Sequence, residues 1–228
     1  MKIAGFGDSF ITENDKLYSY TNLIGKHFDT DFQHFGHEGS GAWDAFFQFK
    51  NSNVDADVVL FVWSNSSRLY HHKYRNICFS GAMTNENSSD PIWQAALGYY
   101  KHLFNAEKAV YEHIAFYYWI DNWLKENYPN TKFIHMWGFP GTSLDSNGLP
   151  PWDNPDSFSY YHTWKNGVDV KPALIHLSYL DEWPGDLTKE TRCHHMTPKM
   201  HNVLANYIID AIENYEPGLQ LNMEHLSI

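Results

Sequence analysis

Apolar and polar positions alternate along this chain in blocks that predict strands and helices in turn. Ile3 to Phe6 is a short apolar run closed by Gly7-Asp8-Ser9, the pattern of a buried strand ending in a tight turn. Leu17, Tyr20, Leu23, Ile24 and Phe28 then recur at helical spacing. Phe32 to Phe35 predicts a second strand before the glycines Gly36, Gly39 and Gly41, and Trp43 to Phe49 predicts a short helix. The clearest strand is Asp57 to Trp63, a continuous apolar run suited to a parallel strand covered on both faces, and it ends at the polar cluster Ser64 to Ser67. No period is sustained from Arg68 to Asp90, which predicts a surface excursion. Pro91 to Tyr128 is helical in pattern, with a break expected near Gly98 or Asn105. Lys132 to Trp137 predicts a fourth strand, Gly138 to Gly167 a long proline-bearing loop, and Ala173 to Leu177 a fifth strand; Pro198 opens a final helix through Leu204, Ile208 and Ile212.

Strands alternating with helices give an α/β fold, a mostly parallel five-stranded sheet with helices on both faces, in a single domain over 1–228 with loop excursions near 68–90 and 138–167. A chain of 228 residues favours one domain. In such sheets ligands sit beyond the carboxyl ends of the strands, so Gly7-Asp8-Ser9, Gly36 to Gly41 and Ser64 to Arg68 are the loops to search.

Composition narrows the function classes. Hydrophobic residues make up 43% and charged residues 19%, with 9 Trp, 15 Tyr and 15 Phe, which fits neither a disordered chain nor a coiled coil. A net charge of −11 argues against nucleic acid as a partner. Ala109 to Trp123 is broken by Glu112, His113 and Asp121, so it reads as a buried helix rather than a membrane span. The first residues lack the apolar core of a secretory signal, and the expectation is a cytoplasmic or otherwise soluble protein. Cys78 and Cys193 are too few for a disulfide framework, and the sequence leaves open whether they pair.

Ser9, just past the first strand, is placed like a nucleophile at a sheet edge where a following helix N-terminus would favour negative charge; its bland alternative is a cap of a helix or turn. A base is available in His194 or His195, immediately ahead of the last helix. Oxyanion donors of suitable type are the Gly39 amide and the Asn65 side chain, either of which could instead serve only a turn. Nucleotide chemistry is disfavoured: Phe10 stands where a dinucleotide fingerprint needs glycine, and no Walker loop is present. Neither a metal nor another cofactor is expected, since the histidines form no metal-helix motif such as His-Glu-x-x-His.

Together these blocks resemble the SGNH, or GDSL-type, hydrolase family. Gly7-Asp8-Ser9 matches its first block. The glycine loop is similar to His34-Phe35-Gly36-His37-Glu38-Gly39, with His34 in place of the usual Asn, and the third block is similar to Ser64-Asn65-Ser66 with both neighbours of the amide changed. In the last block His195 fits the base and His201 a second histidine six residues on, while Arg192 stands where the family has Asp. The resemblance implies a flavodoxin-like three-layer fold and a serine ester hydrolase acting on a small-molecule or glycan ester. It implies Ser9 as nucleophile, His195 as base, and the Ser9 amide, Gly39 amide and Asn65 as oxyanion donors. Glu190, or Asp186, would then orient His195, or a backbone carbonyl would do so in a dyad. The competing expectation is a non-catalytic glycan-binding protein on the same fold, with aromatics among Tyr70 to Tyr74 and Trp152 to Trp164 stacking on sugars.

Overall fold

A computed structural model describes residues 1–12, 17–64, 66–138, 163–171, 174 and 196–223. The chain runs through β1 (Ile3–Gly7), α1 (Tyr20–His27), β2 (Phe32–His34), α2 (Ala42–Ser52), β3 (Val58–Trp63), β4 (Leu69–His71), β5 (Arg75–Ile77), α3 (Phe79–Thr84), α4 (Pro91–His102), α5 (Ala106–Asn127), β6 (Lys132–Trp137), β7 (Val168–Lys171), α6 (Pro198–Glu213) and β8 (Gln220–Asn222). The central sheet has the order β2-β1-β3-β6-β7-β8, with every neighbouring pair parallel. The chain leaves β1 for the β2 edge and returns to β3, so the order reverses between β1 and β3, where ligands bind in folds of this type.

β1 and β3 are buried along their whole length because helices cover both faces. On one face α1 packs with α6; on the other, Phe46 and Phe49 of α2 meet Phe116 and Trp123 of α5 over Phe6 and Phe61. Rings also stack along the sheet, His135 lying 3.6 Å from Trp164 with Trp63 donating its indole N–H to His135 Nδ1 at 3.0 Å. Trp164 is fully buried in this stack and has no face to offer a ligand; Trp152 lies outside the described residues.

The sheet differs from expectation at its far edge. It has six strands among the described residues, not five, because the three residues of β8 are too few to leave a pattern. The strand after β6 is Val168–Lys171, upstream of the expected Ala173 to Leu177; of that stretch Leu174 is helical and the rest lies outside the described residues. β7 was hidden by its charges: Asp169 is fully buried, accepting the Trp137 indole N–H at 3.0 Å and facing Lys171 Nζ at 3.4 Å.

The excursion after Arg68 is built rather than irregular. β4 and β5 form a hairpin, and Ile77, Ala82, Ala96, Leu97 and Tyr100 make a second small core with α3 and α4. The Tyr100 hydroxyl lies 2.6 Å from the Ser67 carbonyl and 2.7 Å from that of Ile77, so one O–H bridges both ends of the β4–β5 hairpin. The break in the long helical region falls at Asn105, whose side chain caps α5 by accepting from the Lys108 amide. Among the described residues no helix is long and apolar enough to cross a membrane. Cys78 is a free thiol that accepts from the Gly81 amide at the start of α3.

Candidate active site

β1 ends in a turn that the chain builds from its own backbone. The Ile11 amide donates to the Asp8 carbonyl at 3.1 Å and the Phe10 amide to Asp8 Oδ1 at 3.2 Å, which leaves Ser9 half-buried at the apex. Thr12 Oγ1 adds a hydrogen bond to the Ser9 carbonyl at 3.0 Å. Ser9 does not cap α1, whose N-cap position is Ser19, so the helix-dipole expectation for Ser9 is not met by that helix.

The glycine loop lies against this turn. The Phe35 amide donates to the Gly5 carbonyl and the His37 amide to that of Gly7, both at 2.9 Å, so the chain past β2 keeps tracking β1 to its end. A Cβ on Gly36 would sit 3.0 Å from the Asp8 carbonyl and 2.7 Å from Ile11, which shows how closely the two loops pack. Gly39 has φ +74, a conformation that favours glycine. Its carbonyl accepts from Asn76 Nδ2, and Arg68 Nη1 donates to the Ser40 carbonyl at 2.7 Å; these two bonds fix the peptide planes on either side of the loop.

Beneath the turn lies a charge that the sequence pattern did not single out. Asp8 is fully buried where the ends of β1, β3 and β6 meet, and a Cβ on Gly138 would sit 2.7 Å from its Oδ2. Burial raises its carboxyl to about 6, against the opposing pull of the Arg68 guanidinium and the Phe10 amide. The Ser64 hydroxyl favours the ionised form slightly without meeting hydrogen-bond geometry, and Asp8 Oδ2, Ser64 Oγ and the Tyr20 hydroxyl are all buried with no hydrogen-bond partner among the described residues. Burial, and then the Asp8 charge, push the Tyr20 hydroxyl well above its ordinary value. The signal for Asp8 was its place directly before Ser9 at the end of a buried strand; for Tyr20 and Arg68 no local signal exists, because their approach to Asp8 is tertiary.

Of the expected site residues, the structure brings together the Ser9 turn and the Gly39 loop at the sheet reversal. Asn65, Asp186, Glu190, Arg192, His194 and His195 lie outside the described residues. His201 is buried on the first turn of α6, its Nδ1 accepting from the Tyr20 amide at 3.3 Å while its ring stacks on that of Tyr20. It therefore ties α6 to the start of α1. Among the described residues no group of His, Cys, Asp or Glu has the arrangement to hold a metal ion.

No family model and no curated protein matches the chain. Solved structures do. An acetyl xylan esterase, AlAXEase, is 13% identical with a TM-score of 0.51, the match covering 93% of this chain and 100% of that one. A putative lipolytic protein of the G-D-S-L family from Desulfitobacterium hafniense DCB-2 is 12% identical at TM-score 0.41, covering 91% and 97%. A carbohydrate esterase whose active site displays divergent catalytic and non-catalytic binding functions is 15% identical at TM-score 0.46, covering 94% and 69%. The first of these carries the fold assignment: the chain shares the three-layer α/β/α architecture of that esterase, the fold implied by the Gly-Asp-Ser resemblance.

Proposed function

We propose that this protein is an SGNH-type serine hydrolase of carboxylic esters, with Ser9 as nucleophile. The observation that carries the reading is the position of Ser9: apex of a backbone-built turn, at the carboxyl end of β1, beside the reversal of strand order and against a glycine loop whose carbonyls are held in place. Likeness to an acetyl xylan esterase supports an O-acyl group as the bond attacked and a glycan as its alcohol.

Ser9 Oγ would attack the ester carbonyl as His195 takes its proton. The Ser9 and Gly39 amides and the Asn65 side chain would hold the developing oxyanion. Collapse of the tetrahedral intermediate expels the alcohol, protonated by His195, and leaves an acyl-Ser9. Water, deprotonated by His195, then releases the acid and restores the serine. Glu190 would orient the imidazole, in place of the family's Asp three residues before the histidine, where this chain has Arg192.

The test is hydrolysis of a nitrophenyl acetate by wild type, Ser9→Ala and His195→Ala, with Glu190→Gln alongside. Turnover by the wild type, lost by roughly 10³-fold or more in the first two variants, is the expected result. A folded wild type without turnover, and without covalent labelling of Ser9 by a fluorophosphonate, would overturn the reading in favour of a binding protein.

A further inference from the structure

A cleft of about 680 Å³ lies between α2, the β4 strand and α5, and its wall includes Ser66, Ser67 and Arg68, the residues that follow Asn65. Its lining is dominated by rings, with only Leu69 and Ala109 as aliphatic side chains. Three of the lining rings form a continuous row, Tyr70 to Phe47 at 5.1 Å between centroids and Phe47 to Trp43 at 5.6 Å. Trp43 and Tyr70 remain 39% and 42% exposed. Large rings grouped at a cleft and left to water mark a binding surface rather than core packing.

The chemistry of the lining selects the occupant. An acyl tail is flexible and fits aliphatic walls, which are scarce here. Flat rings with polar groups at their rims suit a rigid molecule that has C–H faces and a hydroxyl edge. His113 adds a specific requirement: it lines the cleft, and its buried Nε2 has no hydrogen-bond partner among the described residues. A hydroxyl can donate or accept, so it satisfies that nitrogen in either tautomer. In the wall itself Glu112 offsets Arg68, and the chain charge of −11 disfavours an anionic ligand.

We infer that this cleft is a saccharide subsite, in which an uncharged oligosaccharide with equatorial hydroxyls stacks along the Tyr70, Phe47 and Trp43 row and hydrogen-bonds His113. Equatorial substitution matters because it leaves both faces of the pyranose ring as C–H surfaces, whereas an axial hydroxyl would lift the sugar off an indole. That the sugar is the alcohol part of the ester presented to Ser9 rests on the proposed esterase reading; the binding itself does not need Ser9.

The experiment is a titration of the full chain with xylohexaose and cellohexaose, followed by tryptophan fluorescence and calorimetry, in wild type, Ser9→Ala, Tyr70→Ala, Trp43→Ala and His113→Leu. Folding of each variant is checked by circular dichroism. Wild type and Ser9→Ala should bind alike, and each loss of a ring should weaken binding roughly five- to tenfold. No binding by wild type at up to about 10 mM sugar, a level that detects even millimolar affinity, would overturn the inference. So would affinity unchanged in the three cleft variants. Sugar binding without ester turnover in the wild type would sink the esterase reading and leave the subsite standing. Turnover without sugar binding would do the reverse.

Discussion

Asp8→Asn makes the buried charge beneath Ser9 measurable. The Asp8 carboxyl moves from an ordinary value near 3.8 to about 6 on folding, chiefly through burial. At 1.36 kcal/mol for each tenfold change in proton affinity, this is about 3 kcal/mol held against the ionised form. The sign follows from which state binds the proton. Below about pH 4 Asp8 is protonated folded and unfolded, and the fold carries no penalty. Above about pH 6 it is ionised in both, and the fold carries all of it. Stability attributable to this group therefore falls as pH rises from about 4 to 6. His113 runs the other way. Burial lowers it from 6.5 to about 4, so its contribution is lost as pH falls through that window. The two oppose in the wild-type profile, but His113 is common to wild type and Asp8→Asn and cancels in their difference. The asparagine keeps an oxygen for the Phe10 amide and offers an N–H towards the Ser64 and Tyr20 hydroxyls, which have no hydrogen-bond partner among the described residues of the wild type. Urea unfolding of both proteins from about pH 3 to 7.5 should show the advantage of Asp8→Asn growing by about 3 kcal/mol across the range. A difference that stays constant with pH would refute the assignment of a raised carboxyl at this position.

Other substitutions test the frame around the site. A Cβ on Gly7, at φ +147, would strike the Val62 carbonyl and lie 2.8 Å from Val62 Cβ, so Gly7→Ala should cost about 3 kcal/mol or more, or prevent folding, in a denaturation experiment. Gly98→Ala is its counterpart: the added Cβ in α4 meets nothing within 4 Å, and the variant should gain up to about 1 kcal/mol. Buried Asp121 accepts from the Lys165 amide at 2.9 Å, the Asn166 amide at 3.1 Å and Asn166 Nδ2 at 3.0 Å, clamping the approach to β7 onto α5. Asp121→Ala should lower unfolding stability by about 3 kcal/mol, because those donors lose a charged acceptor in a dry site.

What the sequence revealed of the fold depended on how far each strand's environment matched its own pattern. β3 sits between β1 and β6 with helices on both faces, so Val58 to Trp63 had to be apolar throughout and was legible at once. β7 is buried too, but Asp169 is tolerated there by Trp137 and Lys171, partners supplied by β6 and by its own strand. That arrangement can be seen only after folding. The hairpin of β4 and β5 escaped notice for a different reason: three-residue strands carry too little periodicity, and Tyr100, which pins them, comes from α4.

The candidate site divides along the same line. Gly7-Asp8-Ser9 and the Gly36 to Gly41 loop were legible because a turn at a strand end and a left-handed glycine are local requirements, written in consecutive residues. Asp8's raised proton affinity, the approach of Tyr20 and Arg68 to it, and the aromatic row from Tyr70 to Trp43 were not, because each joins elements far apart in the chain. Local signals thus mark the place of the candidate site, while the groups that set its electrostatics and those inferred to recognise the alcohol arrive by packing. Three consecutive residues can place a candidate nucleophile, but the residues of the inferred subsite are spread over α2, β4 and α5, so no stretch of sequence displays them together.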